Sequence, residues 1–168
     1  HAAANRCTWK DIDKWHKDKG YDCAGYNAFI TKDGKIYILR GWNVGAHTEK
    51  FNSKSWGVCL EGDYETFDNM PNIQLKALIH HLMDVLTETN YRPKIVGHRE
   101  LTSTTCPGRF VKVEMIKDMV NTFFAIENLA KHKVINTMEY WENAVFDKQA
   151  IDTKYLSVLI QNMSTKLT

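Results

Sequence analysis

The sequence predicts an α/β fold, a β-sheet covered by helices, followed by a small helical extension. Strand-like runs around a turn dipeptide are interleaved with amphipathic helical stretches over the first two thirds of the chain, the pattern of a sheet with helices on its faces. From Asn121 onward the periodicity is helical only. The length of 168 residues, with 43% hydrophobic and 25% charged residues, suits one ordinary domain with an appendage and excludes disorder for most of the chain. The expected organisation is an α/β domain over residues 1–120 and a helical extension over 121–168.

Thr8 is placed to cap a helix over Trp9–Lys19, with Asp11 at capping-box spacing, Trp9, Ile12 and Trp15 on one stripe, and Gly20 as terminator. Tyr26–Ile30 and Lys35–Leu39 flank Asp33-Gly34, a dipeptide that accepts positive φ, and read as a hairpin with Phe29 and Ile36 or Ile38 inside. Ser55–Leu60 is mostly apolar and reads as a central strand. A polar loop from Gly62 to Pro71 is long enough to shape a cleft.

Asn72 is expected to cap the next helix, whose Leu75, Leu78, Ile79, Leu82, Met83, Val85 and Leu86 keep a 3.6-residue period as far as Asn90. Lys94–Gly97 reads as a short strand, and Glu100–Gly108 as a loop ending in Pro107-Gly108. A helix is expected from about Val111. Further short helices, Phe124–Lys131, Thr137–Val145 and Lys154–Met163, are too short to stand alone in water and must pack.

The 22 basic and 20 acidic residues leave a net charge of +2, without the clustered excess of a dedicated nucleic-acid binder. The apolar runs, such as Ala28-Phe29-Ile30, are only a few residues long and far too short for membrane insertion. The four cysteines have no CxxC spacing; Cys7, Cys23 and Cys59 read as packing thiols, with a Cys7–Cys23 disulfide as the alternative in an exported protein. No signal peptide is visible, and because the sequence opens abruptly at His1, export through a preceding segment stands as the alternative to a cytoplasmic setting.

A catalytic zinc site needs three neutral-imidazole, thiolate or carboxylate ligands and one open position. His98 and Cys106 suit such a site, at the end of an expected strand and in the loop after it, where sites are built. As an isolated pair they are weak evidence, since seven histidines and four cysteines give many accidental spacings, and they read more readily as a surface histidine and a buried thiol.

Longer stretches carry more. Gly25-Tyr26-Asn27-Ala28-Phe29-Ile30, Asp33-Gly34-Lys35-Ile36-Tyr37, Arg40-Gly41-Trp42-Asn43, Gly45-Ala46-His47-Thr48, Ser55-Trp56-Gly57-Val58 and Gly97-His98-Arg99-Glu100 run in order through residues 1 to 110. Together they resemble the type 2 N-acetylmuramoyl-L-alanine amidases, which include phage endolysins and animal peptidoglycan recognition proteins. The resemblance implies a mixed sheet flanked by helices and a Zn²⁺ ion in a cleft. The implied reaction is hydrolysis of the amide between N-acetylmuramic acid and L-alanine in bacterial peptidoglycan.

By the same resemblance the zinc ligands fall on His1, His98 and Cys106, the catalytic tyrosine on Tyr26, and a second polar catalytic position on Thr104. His47, Asn27, Trp42 and Asn52 fall at substrate contacts, with His47 also a candidate for carrying the proton to the leaving amine. Bound zinc lowers the pKa of its water toward about 7 and polarises the scissile carbonyl. Donors beside it then stabilise the developing oxyanion, each typically worth about 10² to 10³ in rate, and the Tyr26 and Thr104 hydroxyls are the candidates.

The sequence departs from the family pattern at two places. Many phage members carry lysine where Thr104 stands, and threonine is similar to the recognition-protein branch. The family's first histidine follows a strand, so a strand is expected before His1; without it a neighbouring strand's edge would lie open. The expected setting is a phage or prophage endolysin, held in the host cytoplasm until lysis and then acting on the wall. Two other readings stand beside it: a module that binds peptidoglycan without cutting it, and a copper site built on an N-terminal histidine, with His1, His98 and Tyr26 as its residues. The last segment, including Tyr140, Trp141, Tyr155 and Ile160, resembles small helical appendages of phage lytic enzymes, for which wall targeting or plain helix packing are the alternatives.

Overall fold

Helix α1, Trp9–Asp18, starts where its capping box predicts: Thr8 Oγ1 accepts from the Asp11 amide, and the Thr8 amide donates to Asp11 Oδ2 at 2.7 Å. The computed structural model describes residues 1–67, 70–89, 93–147, 159 and 162–163. Its further elements are β1 (Ala28–Ile30), β2 (Ile36–Ile38), β3 (Val58–Leu60), α2 (Asn72–Glu88), a 3₁₀ turn at His98–Glu100, α3 (Val113–Lys131) and α4 (Met138–Asp147). The chain divides into two compact units, His1–Val113 and a second beginning at Glu114.

In the first unit the sheet is mixed, with strand order β2-β1-β3. β1 pairs antiparallel with β2 and parallel with β3. Gly34, at φ 81°, supplies the left-handed residue that the hairpin needs. The central strand is therefore β1 and not Ser55–Leu60 as the apolar run suggests. Only Val58–Leu60 of that run is strand, and its other side meets the start of the chain, through Ala2 N–H to Leu60 O at 2.8 Å and an Ala4–Gly62 bridge.

Register also differs from expectation. Phe29 pairs with Tyr37, so Tyr37 joins the core cluster of Cys7, Ile12, Ala24, Phe29 and Cys59, while Ile36 and Ile38 turn outward, 39% and 59% exposed. All of β1 is buried, since α1 covers the Phe29 face through Ile12 and α2 lies against the strand. Each fully buried side chain of this size contributes roughly 1.5–3 kcal/mol.

Helix α2 begins after Pro71 with no side-chain cap, so Asn72 is its first residue and not the cap. Its buried face holds Leu78, Ile79, Met83 and Val85 together with Gln74 and His81. Lys94–Gly97 forms no strand; it is extended chain leading into the 3₁₀ turn. All four cysteines are free, so Cys7 and Cys23 do not form the alternative disulfide. No helix among the described residues is long and apolar enough to cross a membrane.

In the second unit, α3 continues through Asn121 without the expected break, so the helices foreseen on either side of that residue are one. Val134 N–H returns to Leu129 O at 2.9 Å beyond the helix end, and Val134 and Ile135 are buried. Phe123 packs edge-on against Phe146 of α4, their centroids 5.1 Å apart. The expected helix Lys154–Met163, with Tyr155 and Ile160, lies outside the described residues apart from 159, 162 and 163.

Candidate active site

The residues around Cys106 are locked to those around His98 by the chain itself. Arg99 N–H donates to Cys106 O at 2.9 Å, and the Arg99 guanidinium donates to Thr105 O at 2.9 Å. Gly97 N–H donates to Glu100 Oε1 at 2.6 Å and fixes the turn that carries His98. Thr104 Oγ1 accepts from Cys106 N–H at 3.2 Å and stays exposed. After Cys106 the chain turns through Pro107-Gly108, and Gly108, at φ 96°, lies so close to Tyr64 that a Cβ there would meet the Tyr64 carbonyl carbon at 2.3 Å.

Tyr64 is the anchor of this region. Although it lies in a stretch that reads as a polar loop, it is fully buried. Its hydroxyl donates to Glu61 O at 2.9 Å and bonds the Gln74 side chain, whose own amide donates to Ile30 O and Glu61 O at 3.0 and 2.9 Å. Its backbone carbonyl accepts from Phe110 N–H at 3.0 Å, and its backbone N–H donates to His1 Nδ1 at 2.9 Å. Tyr64 thus links His1 to the segment after Cys106. Sequence reading passed over Tyr64 and Gln74; the available signal was a glutamine on the buried face of an otherwise apolar helix.

Tyr26 lies at the entry to β1, between two imidazoles: His47, nearly parallel with centroids 6.3 Å apart, and His16 at 5.5 Å. Burial first, then the neighbouring Cys59 and Cys106 thiols, raise its pKa, so the phenol stays protonated throughout the ordinary pH range. The His47 ring is gripped between Gly45 and Gly57, where any Cβ would meet it within 2.5 Å. Its Nε2 is buried without a hydrogen-bond partner among the described residues, and its Nδ1 lies 3.3 Å from Thr48 Oγ1. Burial and the nearby His98 lower its pKa.

Asn52 Oδ1 holds the His47 loop, accepting from the His47 and Thr48 amides at 2.8 Å each. Asn27, expected as a substrate contact, is 2% exposed; its amide donates to Gly41 O and Asn43 O and accepts from Gly57 N–H. It clamps loops because its polar atoms are turned inward. Trp42 is 59% exposed, tilted on Trp56 with centroids 4.4 Å apart, and tethered through its indole N–H to Glu88 at 3.2 Å.

The donor chemistry suits zinc. His98 is kept neutral first by burial and then by the His1 ammonium. The His1 backbone nitrogen lies 3.6 Å from Cys106 Sγ. Among the described residues, however, no three His, Cys, Asp or Glu side chains stand together as a ligand set. The His1 ring is engaged elsewhere: its Nδ1 accepts from the Tyr64 N–H and faces Asp63 at 3.7 Å, so the neutral ring carries its proton on Nε2. That hydrogen bond must be exchanged before the ring can act as a ligand. It also occupies the nitrogen that a copper site on an N-terminal histidine would use.

A family model described as N-acetylmuramoyl-L-alanine amidase matches residues 1–109. The chain belongs to this family. Peptidoglycan-recognition protein SC2 of Drosophila melanogaster is 38% identical over 124 residues, spanning 64% of this chain and 65% of that protein. Among solved structures, the N-acetylmuramoyl-L-alanine amidase LysC from Clostridium intestinale superposes with a TM-score of 0.63 at 30% identity, covering 70% of this chain and 78% of that one. The endolysine amidase LysCS from the same organism gives 0.59 at 32% identity, covering 70% and 76%. The amidase fold and the family expected from the motifs are therefore both found. The family contains catalytic and recognition proteins alike, and this amidase-family chain spans just under two thirds of the SC2 relative.

Proposed function

We propose that this amidase-family chain hydrolyses the amide between the lactyl group of N-acetylmuramic acid and L-alanine in bacterial peptidoglycan, with zinc held by His1, His98 and Cys106. The observation that carries the reading is the local one around Cys106: a half-buried thiol 3.6 Å from the His1 nitrogen, tied through Arg99 to the turn bearing a neutral His98. When bound, zinc would polarise the lactyl carbonyl and activate water toward it.

The chain's own groups then divide the work. The Tyr26 hydroxyl, kept protonated by burial, donates to the carbonyl oxygen as negative charge develops, and Thr104 supplies a second donor from the rim. His47, neutral and with Nε2 unpartnered, carries the proton to the departing alanine nitrogen, so that the products are a free lactyl carboxylate and a new amino terminus. Exposed Trp42 offers an aromatic face to the glycan. The likeness to an amidase named as an endolysine supports a phage or prophage lytic role, with the protein held in the host cytoplasm until lysis.

The test is release of L-alanine amino termini from purified peptidoglycan, with chelator and with zinc restored. Amino termini lost on chelation and regained with zinc are the expected result, with His98→Ala and Cys106→Ala silent under both conditions. A zinc-loaded protein that binds peptidoglycan and releases nothing would instead make it a recognition module, the reading favoured by the likeness to SC2.

A further inference from the structure

His16 on the last turn of α1 lies outside the ligand and donor set, and as a histidine on a helix it invites no functional account. Its surroundings supply one. The imidazole packs on Tyr26 with centroids 5.5 Å apart and on Tyr21 at 5.4 Å, while its Nδ1 accepts from the Gly25 N–H at 2.8 Å. Gly25 in turn accepts from Ala46 N–H at 2.7 Å, the residue before His47. A Cβ on Gly25 would meet Ala46 O at 2.2 Å and His16 Nδ1 at 3.0 Å, so the backbone passes between helix and loop where no side chain fits. Gly25, the residue before Tyr26, is thereby bonded through its N–H to His16 and through its carbonyl to the His47 loop.

We propose that His16 is a positioning residue for Tyr26: its ring face holds the phenol ring, and its Nδ1 holds the Gly25 peptide from which both Tyr26 and the His47 loop are hung. Imidazole suits this double task. Phenylalanine would offer a face without an acceptor, and asparagine an acceptor at the Nδ1 position without the face. Because Nδ1 is an acceptor, the proton of the neutral ring lies on Nε2. The role rests on the reading of Tyr26 as the donor to the reacting carbonyl. A donor displaced by about 1 Å costs up to about 10² in rate, so a residue touching neither substrate nor metal can govern turnover.

The experiment is a double-mutant cycle on the zinc-loaded protein, reading kcat and KM separately on a soluble muramyl-L-alanyl peptide. His16→Phe is expected to lower kcat by about 10- to 100-fold with KM within about twofold, and His16→Asn to recover most of that loss. In a Tyr26→Phe background, His16→Phe should add less than about twofold, because the group it positions is gone. Independent multiplication of the two effects, or unchanged kcat in His16→Phe beside a slow Tyr26→Phe, would overturn the proposal. A Tyr26→Phe protein as fast as the parent is a different failure, that of the Tyr26 reading, and removes the proposal with it. Hydrogen exchange of the Gly25 amide needs no variant: slow exchange in the parent is expected, and exchange at the unprotected rate overturns the hydrogen bond on which the role stands.

Discussion

The backbone N–H of Tyr64 donates to Nδ1 of His1 at 2.9 Å, and the two rings stack with centroids 6.4 Å apart. Through this pair the first residue described is joined to a buried polar network that reaches Gln74 on α2 and Ile30 at the end of β1. The ring of His1 is 95% hidden as a result, its side chain being 5% exposed.

Removing the Tyr64 hydroxyl should show how much of the fold rests on that network. In Tyr64→Phe the Gln74 side chain loses a buried partner, and a polar group left unsatisfied costs about 1–3 kcal/mol. Denaturant titration should show a loss of this size, and Gln74→Leu in the same background should add to it, because Glu61 O then loses its remaining side-chain donor. Equal stability of Tyr64→Phe and the parent would mean that the network contributes nothing net.

Gly108→Ala is expected to be worse. The residue sits at φ 96°, where a side chain is strained by roughly 1–3 kcal/mol, and the new Cβ would collide with the Tyr64 carbonyl. Because Gly108 closes the turn that carries Cys106, zinc affinity measured by chelator competition should fall along with stability. Unchanged affinity in a destabilised variant would separate the two roles.

Stability should follow a dome in pH. Burial lowers the pKa of His16 and His81 below the ordinary 6.5, so the unfolded chain binds protons that the folded one refuses; this stability is complete above about 6.5 and is lost as pH falls through the lowered values. On the alkaline side, burial pushes the Cys7 thiol up to about 11 and Cys59 up to about 12, so their contribution is complete below the ordinary value of 9.0 and is lost as pH rises past it. Denaturation midpoints across pH 5 to 10 read this directly. His81→Gln, which keeps an acceptor for the Trp56 indole, should flatten the acid limb.

Thr104 offers a sharper kinetic test. If its hydroxyl is a donor to the reacting carbonyl, Thr104→Val should lower kcat by about 10² and Thr104→Ser should restore it. A drop in zinc content without a drop in kcat per bound metal would show instead that Thr104 serves the Cys106 loop, whose amide it accepts.

What could be read from sequence was local. The Thr8–Asp11 capping box, the Asp33-Gly34 turn and the periodic face of α2 depend on residues close in the chain, and all three are found in the structure. The order of short motifs from Gly25 to Glu100 was equally legible, and with it the family. The position of β1 at the centre, the outward turn of Ile36 and Ile38, and the failure of Lys94–Gly97 to pair as a strand were decided by which segments met in space. The same holds for the site. Sequence named Tyr26, His98 and Cys106, but His16 beneath Tyr26, Tyr64 behind His1, and Asn27 turned inward are long-range hydrogen bonds and ring contacts. Their energies depend on distance in three dimensions, a quantity that spacing along the chain does not contain.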